Sequence, residues 1–235
     1  MIDIVEALRG RLIVSCQAYS GEPMLHPNTM VQIAQSVVRG GAAGVRLKGL
    51  EDLRLARPLL QVPIIGLVKV GQRGVYITPT LDDALAVAET GCDIVAIDGT
   101  RRPRPDGRSL RDTVTEVKRQ FPDILLMADC GSLDDGLASQ DAGADLVGTT
   151  LAGYTGERPT TEGPDLELVE EFSNRLSVPI IAEGRINNAT QAALALDRGA
   201  TAVTVGTAIT HPASITRWFC DGMTQDLGKL SDSIG

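Results

Sequence analysis

Lys69 closes most of the run V-P-I-I-G-L-V-K-V at residues 62–70. The run is short, apolar and β-branched, and Pro63 opens it, which is the pattern of a buried strand. An amine at the dry end of such a strand loses hydration of its charged form, so its pKa falls and it becomes a usable base near neutrality. A lysine that merely snorkels from a strand end into water would occupy the same place, so its surroundings decide. Gln17, Arg46, Lys48, Asp98, Asp129, Thr149, Thr150, Glu183, Gly206 and Thr207 stand at the ends of other apolar runs. Buried charges persist only when paired. Two or three cations and three carboxylates in one ring therefore make either a salt-bridge network or a binding site. At the mouth of a parallel barrel the binding site is the expectation.

Two further runs end in E-G-R-I-N (183–187) and V-G-T-A-I (205–209). Backbone amides of the turns at Gly184 and Gly206, with a short helix after the second, would cradle a phosphate dianion, and Arg185 would add a charge-assisted contact. Each glycine alone would read as an ordinary turn. No metal is expected: His26 and His211 are the two histidines and lack ligand spacing. No G-x-S-x-G supports a nucleophilic serine. The loop R-R-P-R-P-D-G (101–107) is a cationic patch that reads first as a proline-stiffened solvated surface, although its place at the mouth would let it meet an anionic or polyhydroxyl substrate.

The elements that must position these residues alternate. Strands are predicted at 11–17, 43–48, 62–70, 93–98, 124–129, 145–149, 178–183 and 201–206. Helices are predicted at 28–40 (Asn28 as cap), 51–60, 80–90 (Thr80 as cap), 109–120, 133–143, 165–177 and 188–199. A last helix follows from 212 to about 227, with a frayed remainder. A glycine, a small residue and a strand recur at Gly41, Gly91, Gly143 and Gly199. The spacing is about two β/α units per step, so four steps give eight units, the count of a TIM (β/α)8 barrel. An open doubly wound sheet would carry G-x-G-x-x-G after its first strand, and S-C-Q-A-Y-S-G has none. No linker divides the chain, so one domain over residues 1–235 is expected.

The 235 residues carry a net charge of −8 and a pI near 4.8. That balance argues against nucleic acid and anionic membranes as partners. No apolar run approaches the roughly 18 residues of a membrane span, and the first residues lack the apolar stretch of a signal peptide. Cys16, Cys92, Cys130 and Cys220 are scattered and read as reduced, mostly buried thiols of a cytoplasmic protein, with packing expected even for Cys16 and Cys130 near strand ends. The cluster R-W-F at 217–219 is expected to cover a barrel end within the chain.

Eight segments in order, S-C-Q-A (15–18), G-V-R (44–46), G-L-V-K (66–69), A-I-D-G-T with R-P-R-P-D-G, M-A-D-C (127–130), G-T-T-L-A-G-Y-T (148–155), A-E-G-R-I (182–186) and V-G-T-A-I-T (205–210), resemble the N-acetylmannosamine-6-phosphate 2-epimerases over residues 12–212. The resemblance implies a TIM barrel that interconverts N-acetylmannosamine 6-phosphate and N-acetylglucosamine 6-phosphate without nicotinamide or flavin, in bacterial sialic acid and amino-sugar breakdown, as a homodimer. It implies that Lys69 exchanges the C2 proton with Glu183 beside it. Gln17, Arg46 and Asp129 would hold the sugar and its N-acetyl group, with Thr150 and Tyr154 from the sixth segment. The turns at Gly184–Arg185 and Gly206–Thr207 would hold the phosphate together with residue 211.

The chain departs from the family pattern twice. His211 stands where the family usually has a phosphate-gripping arginine, which implies weaker and more pH-dependent phosphate binding. Gly99 stands where alanine is usual, with little expected from it. Two other functions fit the residues: a Schiff-base aldolase with Lys69 as nucleophile, and a non-catalytic phosphosugar-binding barrel.

Overall fold

A computed structural model of the chain describes residues 3–71 and 73–232, with side chains as far as Met223. Eight parallel strands close into a barrel in chain order. They are β1 (Leu12–Cys16), β2 (Gly44–Lys48), β3 (Ile64–Leu67), β4 (Ile94–Asp98), β5 (Leu125–Asp129), β6 (Leu146–Gly148), β7 (Ile180–Glu183) and β8 (Ala202–Val205). A short α1 (Ile4–Leu8) precedes the barrel. The outer ring is α2 (Pro27–Arg39), α3 (Leu50–Ala56), α4 (Leu81–Ala88), α5 (Leu110–Gln120), α6 (Leu133–Ala142), α7 (Leu166–Arg175) and α8 (Ala189–Asp197). The brief α9 (Thr207–Thr210) leads into α10 (Pro212–Asp232). This is the TIM barrel that the alternation predicts.

Strand alternation divides the core in two. Ile13, Ile65, Leu67, Met127, Ile181 and Ala202 pack inside the barrel, and Leu8 of α1 joins them, stopping the lower end. Val14, Cys16, Val45, Leu47, Val95 and Ile97 face outward onto the helices. Gly41, Gly91, Gly143 and Gly199 all have φ between +78° and +104°, so each turns the chain from helix to strand in a conformation that side chains resist. The small residues after them, Ala42, Cys92, Ala144 and Ala200, are buried. Cys16 and Cys130 are buried in the helix-facing layers, as packing thiols.

Several boundaries differ from the sequence reading. β3 ends at Leu67, and Lys69 lies two residues beyond it. The chain folds back there: Lys69 bridges antiparallel to Ile77, Val70 donates its N–H to the Tyr76 carbonyl at 2.9 Å, and Thr78 donates to Val68 at 2.8 Å. His26, not Asn28, caps α2, its ring accepting from the Asn28 N–H, because Pro27 occupies the first helical turn. The helix expected at 51–60 breaks into α3 and a 3-10 turn at Arg57–Leu59, where Pro58 removes a donor. α10 continues past 227 to Asp232, and the expected fraying at 233–235 lies outside the described residues.

Candidate active site

A cavity of about 710 Å³ opens at the carboxyl ends of the strands. Gln17, Arg46, Lys69, Thr150, Tyr154, Glu183, Gly184, Arg185, Gly206, Thr207 and His211 all border it, so the structure brings together every expected site residue but one. The exception is Asp129, which lies beneath the cavity floor with no exposed surface. There it accepts both arms of the Arg46 guanidinium, at 3.0 and 2.6 Å, and the Thr150 hydroxyl at 2.6 Å. Arg46 also sits 3.0 Å from Oε2 of Glu183. The charged ring is thus a salt-bridge network and a cavity floor at once. Burial opposes the charge on Arg46, but Asp129 and Glu183 more than offset it and hold the guanidinium charged. The end of β7 is tied to β6 by Thr149, whose hydroxyl accepts from the Glu183 N–H and donates to the Glu183 carbonyl.

Lys69 and Glu183 have displaced acidities. Burial first, then the Arg46 charge, pulls the Lys69 ammonium down to about 8, against the opposing pull of Glu183. Burial pushes the Glu183 carboxyl up to about 7, and Asp129 adds to this while Arg46 opposes it. β3 and β7 are four strands apart in an eight-stranded ring, so the two groups approach the cavity from opposite sides. A weakly basic amine facing a weakly acidic carboxyl is suited to moving protons on and off carbon near neutral pH.

Other expected residues serve the framework. Each nitrogen of the Arg185 guanidinium already donates: Nε to Gly163, one terminal nitrogen to Ala152 and the other to Thr161, with Tyr154 stacked 5.2 Å away. Arg185 therefore clamps the β6–α7 loop around the cavity. Both ring nitrogens of His211 are engaged too, one with Glu22 and one with the Ser214 hydroxyl. The patch at 101–107 is a largely exposed surface loop that does not border the main cavity, as the solvated reading expects, and its arginines are anchored on the protein. Arg101 pairs with Asp134, Asp135 and Glu157, Arg102 with Asp98, and Arg104 donates to the carbonyls of Asp98 and Thr78. Trp218 of the R-W-F cluster reaches the cavity, whereas Phe219 is 69% exposed and covers nothing.

Sequence reasoning missed Tyr19, whose ring lies 5.3 Å from the Lys69 amine and 5.4 Å from that of Lys48. Its loop is fastened by Glu22, which accepts from the Tyr19 N–H at 2.7 Å, and by Lys48, which donates to Ala18. Ser15 and Thr204 were missed as well; counting back two residues from Gln17 and Gly206 along their strands finds both. Among the described residues no three His, Cys, Asp or Glu side chains are grouped as a metal site would need.

Residues 30–225 match the family described as "Putative N-acetylmannosamine-6-phosphate epimerase". A Cutibacterium acnes protein named as a member of that group is 54% identical over 222 residues, covering 94% of this chain and 96% of its own. The chain belongs to the N-acetylmannosamine-6-phosphate epimerase family. These epimerases are isomerases of carbohydrates, and a Caldanaerobacter subterraneus relative under the same name is 44% identical over 93% of both chains. The structure of the N-acetylmannosamine-6-phosphate 2-epimerase from Clostridium perfringens superposes with a TM-score of 0.88 at 37% identity, over 92% of this chain and 95% of that one. Thiamine phosphate pyrophosphorylase from Pyrococcus furiosus, 18% identical with a TM-score of 0.59, shares the barrel and tells nothing of the epimerase site.

Proposed function

We propose that the protein inverts carbon 2 of N-acetylmannosamine 6-phosphate to give N-acetylglucosamine 6-phosphate, and the reverse. The observation that carries this reading is the pair formed by Lys69, just past β3, and Glu183, at the end of β7: an amine drawn down to about 8 and a carboxyl raised to about 7 bordering one cavity from opposite sides. Once the sugar ring opens, C2 lies beside the C1 aldehyde and its hydrogen becomes removable as an enolate forms. Inversion requires a proton to leave one face and another to arrive on the opposite face. Lys69 takes the proton as base and Glu183, in its protonated form, returns one from across the cavity. The Arg46 guanidinium, fixed by Asp129, offers positive charge beside the developing enolate.

Gln17, Arg46, Thr150 and Tyr154 hold the sugar in this reading, with Asp129 acting through Arg46. The backbone at Gly184, Gly206 and Thr207 receives the phosphate. Arg185 and His211 shape that end through the loops they tie. The whole of residues 1–235 works as one domain. The reaction belongs to amino-sugar and sialic acid breakdown in the cytoplasm, which the buried thiols Cys16, Cys92 and Cys130 suit. A homodimer is part of the proposal, supported by the exposed Phe219 and Met223 on α10.

Proton NMR of the protein with N-acetylmannosamine 6-phosphate in deuterated water tests the reading. Signals of N-acetylglucosamine 6-phosphate carrying deuterium at C2, and silence from Lys69→Ala, are the expected result. Binding without exchange by the native protein would overturn it. Borohydride trapping of substrate on Lys69 would instead support an aldolase-type imine.

A further inference from the structure

On the wall formed by β1 and β8, two buried polar atoms have no hydrogen-bond partner among the described residues: Oε1 of Gln17 and Oγ1 of Thr204. Both residues line the cavity, and Thr204 is 1% exposed. A buried polar atom left alone is unfavourable, and native sites keep such atoms for a ligand or a strained function. The Gln17 amide is oriented by its neighbour: Nε2 donates to the Ser15 hydroxyl at 3.0 Å, which leaves Oε1 as an acceptor with nothing donating to it. Thr204 supplies the complementary capacity, an O–H with no acceptor.

Their position says which part of a sugar they meet. Thr204 pairs in register with Glu183 on the adjoining strand. In the epimerase reading, on which this inference rests, Glu183 must reach carbon 2, and the substituent that carbon carries is the acetamide. An amide presents one donor and one acceptor in a fixed plane, and the wall holds one unspent acceptor and one unspent donor. A plain hydroxyl at carbon 2 has no such fixed pair. We propose that Thr204 is a specificity-determining residue whose hydroxyl donates to the acetamide carbonyl, while Oε1 of Gln17 accepts from the acetamide N–H.

The test compares two ligands in native protein, Thr204→Val and Thr204→Ser. One is N-acetylglucosamine 6-phosphate, equilibrated with its epimer. The other is glucose 6-phosphate, which keeps the ring and phosphate but has a hydroxyl at carbon 2. Native protein binds the acetamido sugar more tightly by calorimetry. Thr204→Val lowers that affinity about tenfold, the usual consequence of leaving a buried carbonyl unpaired, and leaves glucose 6-phosphate unchanged. Thr204→Ser restores the preference. Thr204→Val also melts no lower than native protein, because it removes a buried hydroxyl that bonds to nothing. Equal weakening of both ligands, or no change in either, would overturn the assignment. Turnover of N-acetylmannosamine 6-phosphate by native protein is measured alongside. Turnover with an unaltered preference in Thr204→Val condemns the Thr204 role alone, whereas absence of turnover and of binding in native protein condemns the epimerase reading and the Thr204 role with it.

Discussion

The Lys69 ammonium opposes folding at neutral pH, because its folded pKa of about 8 lies below its ordinary 10.5. The difference corresponds to roughly 3–4 kcal/mol at one pKa unit per ~1.4 kcal/mol. That penalty is complete below pH 8 and is relieved as pH rises from 8 toward 10.5, where the folded state has shed the proton that the unfolded chain keeps. Lys69→Met should therefore raise the melting temperature at pH 7 and lose most of that gain by pH 10, as thermal scans across pH would reveal. Glu183 sets the other limb. If catalysis uses the neutral amine and the protonated carboxyl, kcat/KM rises through about pH 7 and falls beyond about pH 8. Glu183→Gln removes a charge that favours the Lys69 ammonium, so the amine's pKa drops below about 8. Inversion at C2 in that variant should slow about 100-fold or more, and its pH profile should lose the fall on the alkaline side. A profile identical in shape to that of native protein would deny Glu183 any proton-transfer role.

At the scale of elements, the residue types were readable and their partners were not. Short continuous apolar runs announced the strands, and the four glycine turns announced their number. What spacing could not announce was that Arg46 would reach Asp129, 83 positions later, or that the chain after β3 would fold back on itself. Those pairings exist only once the ring has closed. The same holds for His211, which the family resemblance set at the phosphate but whose ring is occupied by Glu22 from the opposite end of the chain. Gly99 is a case where the structure corrects the sequence. A Cβ there would lie 2.8 Å from both the Ala128 Cβ and the Ser139 hydroxyl. The alanine implied by the family resemblance is therefore not a neutral replacement here. Gly99→Ala should lower stability by about 1–3 kcal/mol by overpacking, visible as a reduced denaturation midpoint. Pairing it with Ser139→Ala should recover part of the loss.

At the scale of the molecule, the charge of the cavity runs against that of the chain. The whole carries −8, yet Arg46, Lys48, Lys69 and Arg185 border the cavity with Glu183 as the opposing carboxylate. Such a local field draws a phosphorylated sugar over short distances and is screened by salt within about 10 Å at 0.1 M. Raising ionic strength should lower kcat/KM for the phosphosugar severalfold while kcat holds steady. A rise in kcat/KM would mean that repulsion by the chain's net charge governs the approach. Leu8 bears on the outcome of every turnover. It packs into the lower end of the barrel interior, so among the described residues the cavity opens at the carboxyl ends of the strands, and substrate and product would share that opening. In the proposed reaction both epimers would occupy that one cavity, so each would compete with the other for it, and the direction of flow would be set by supply and removal rather than by the protein.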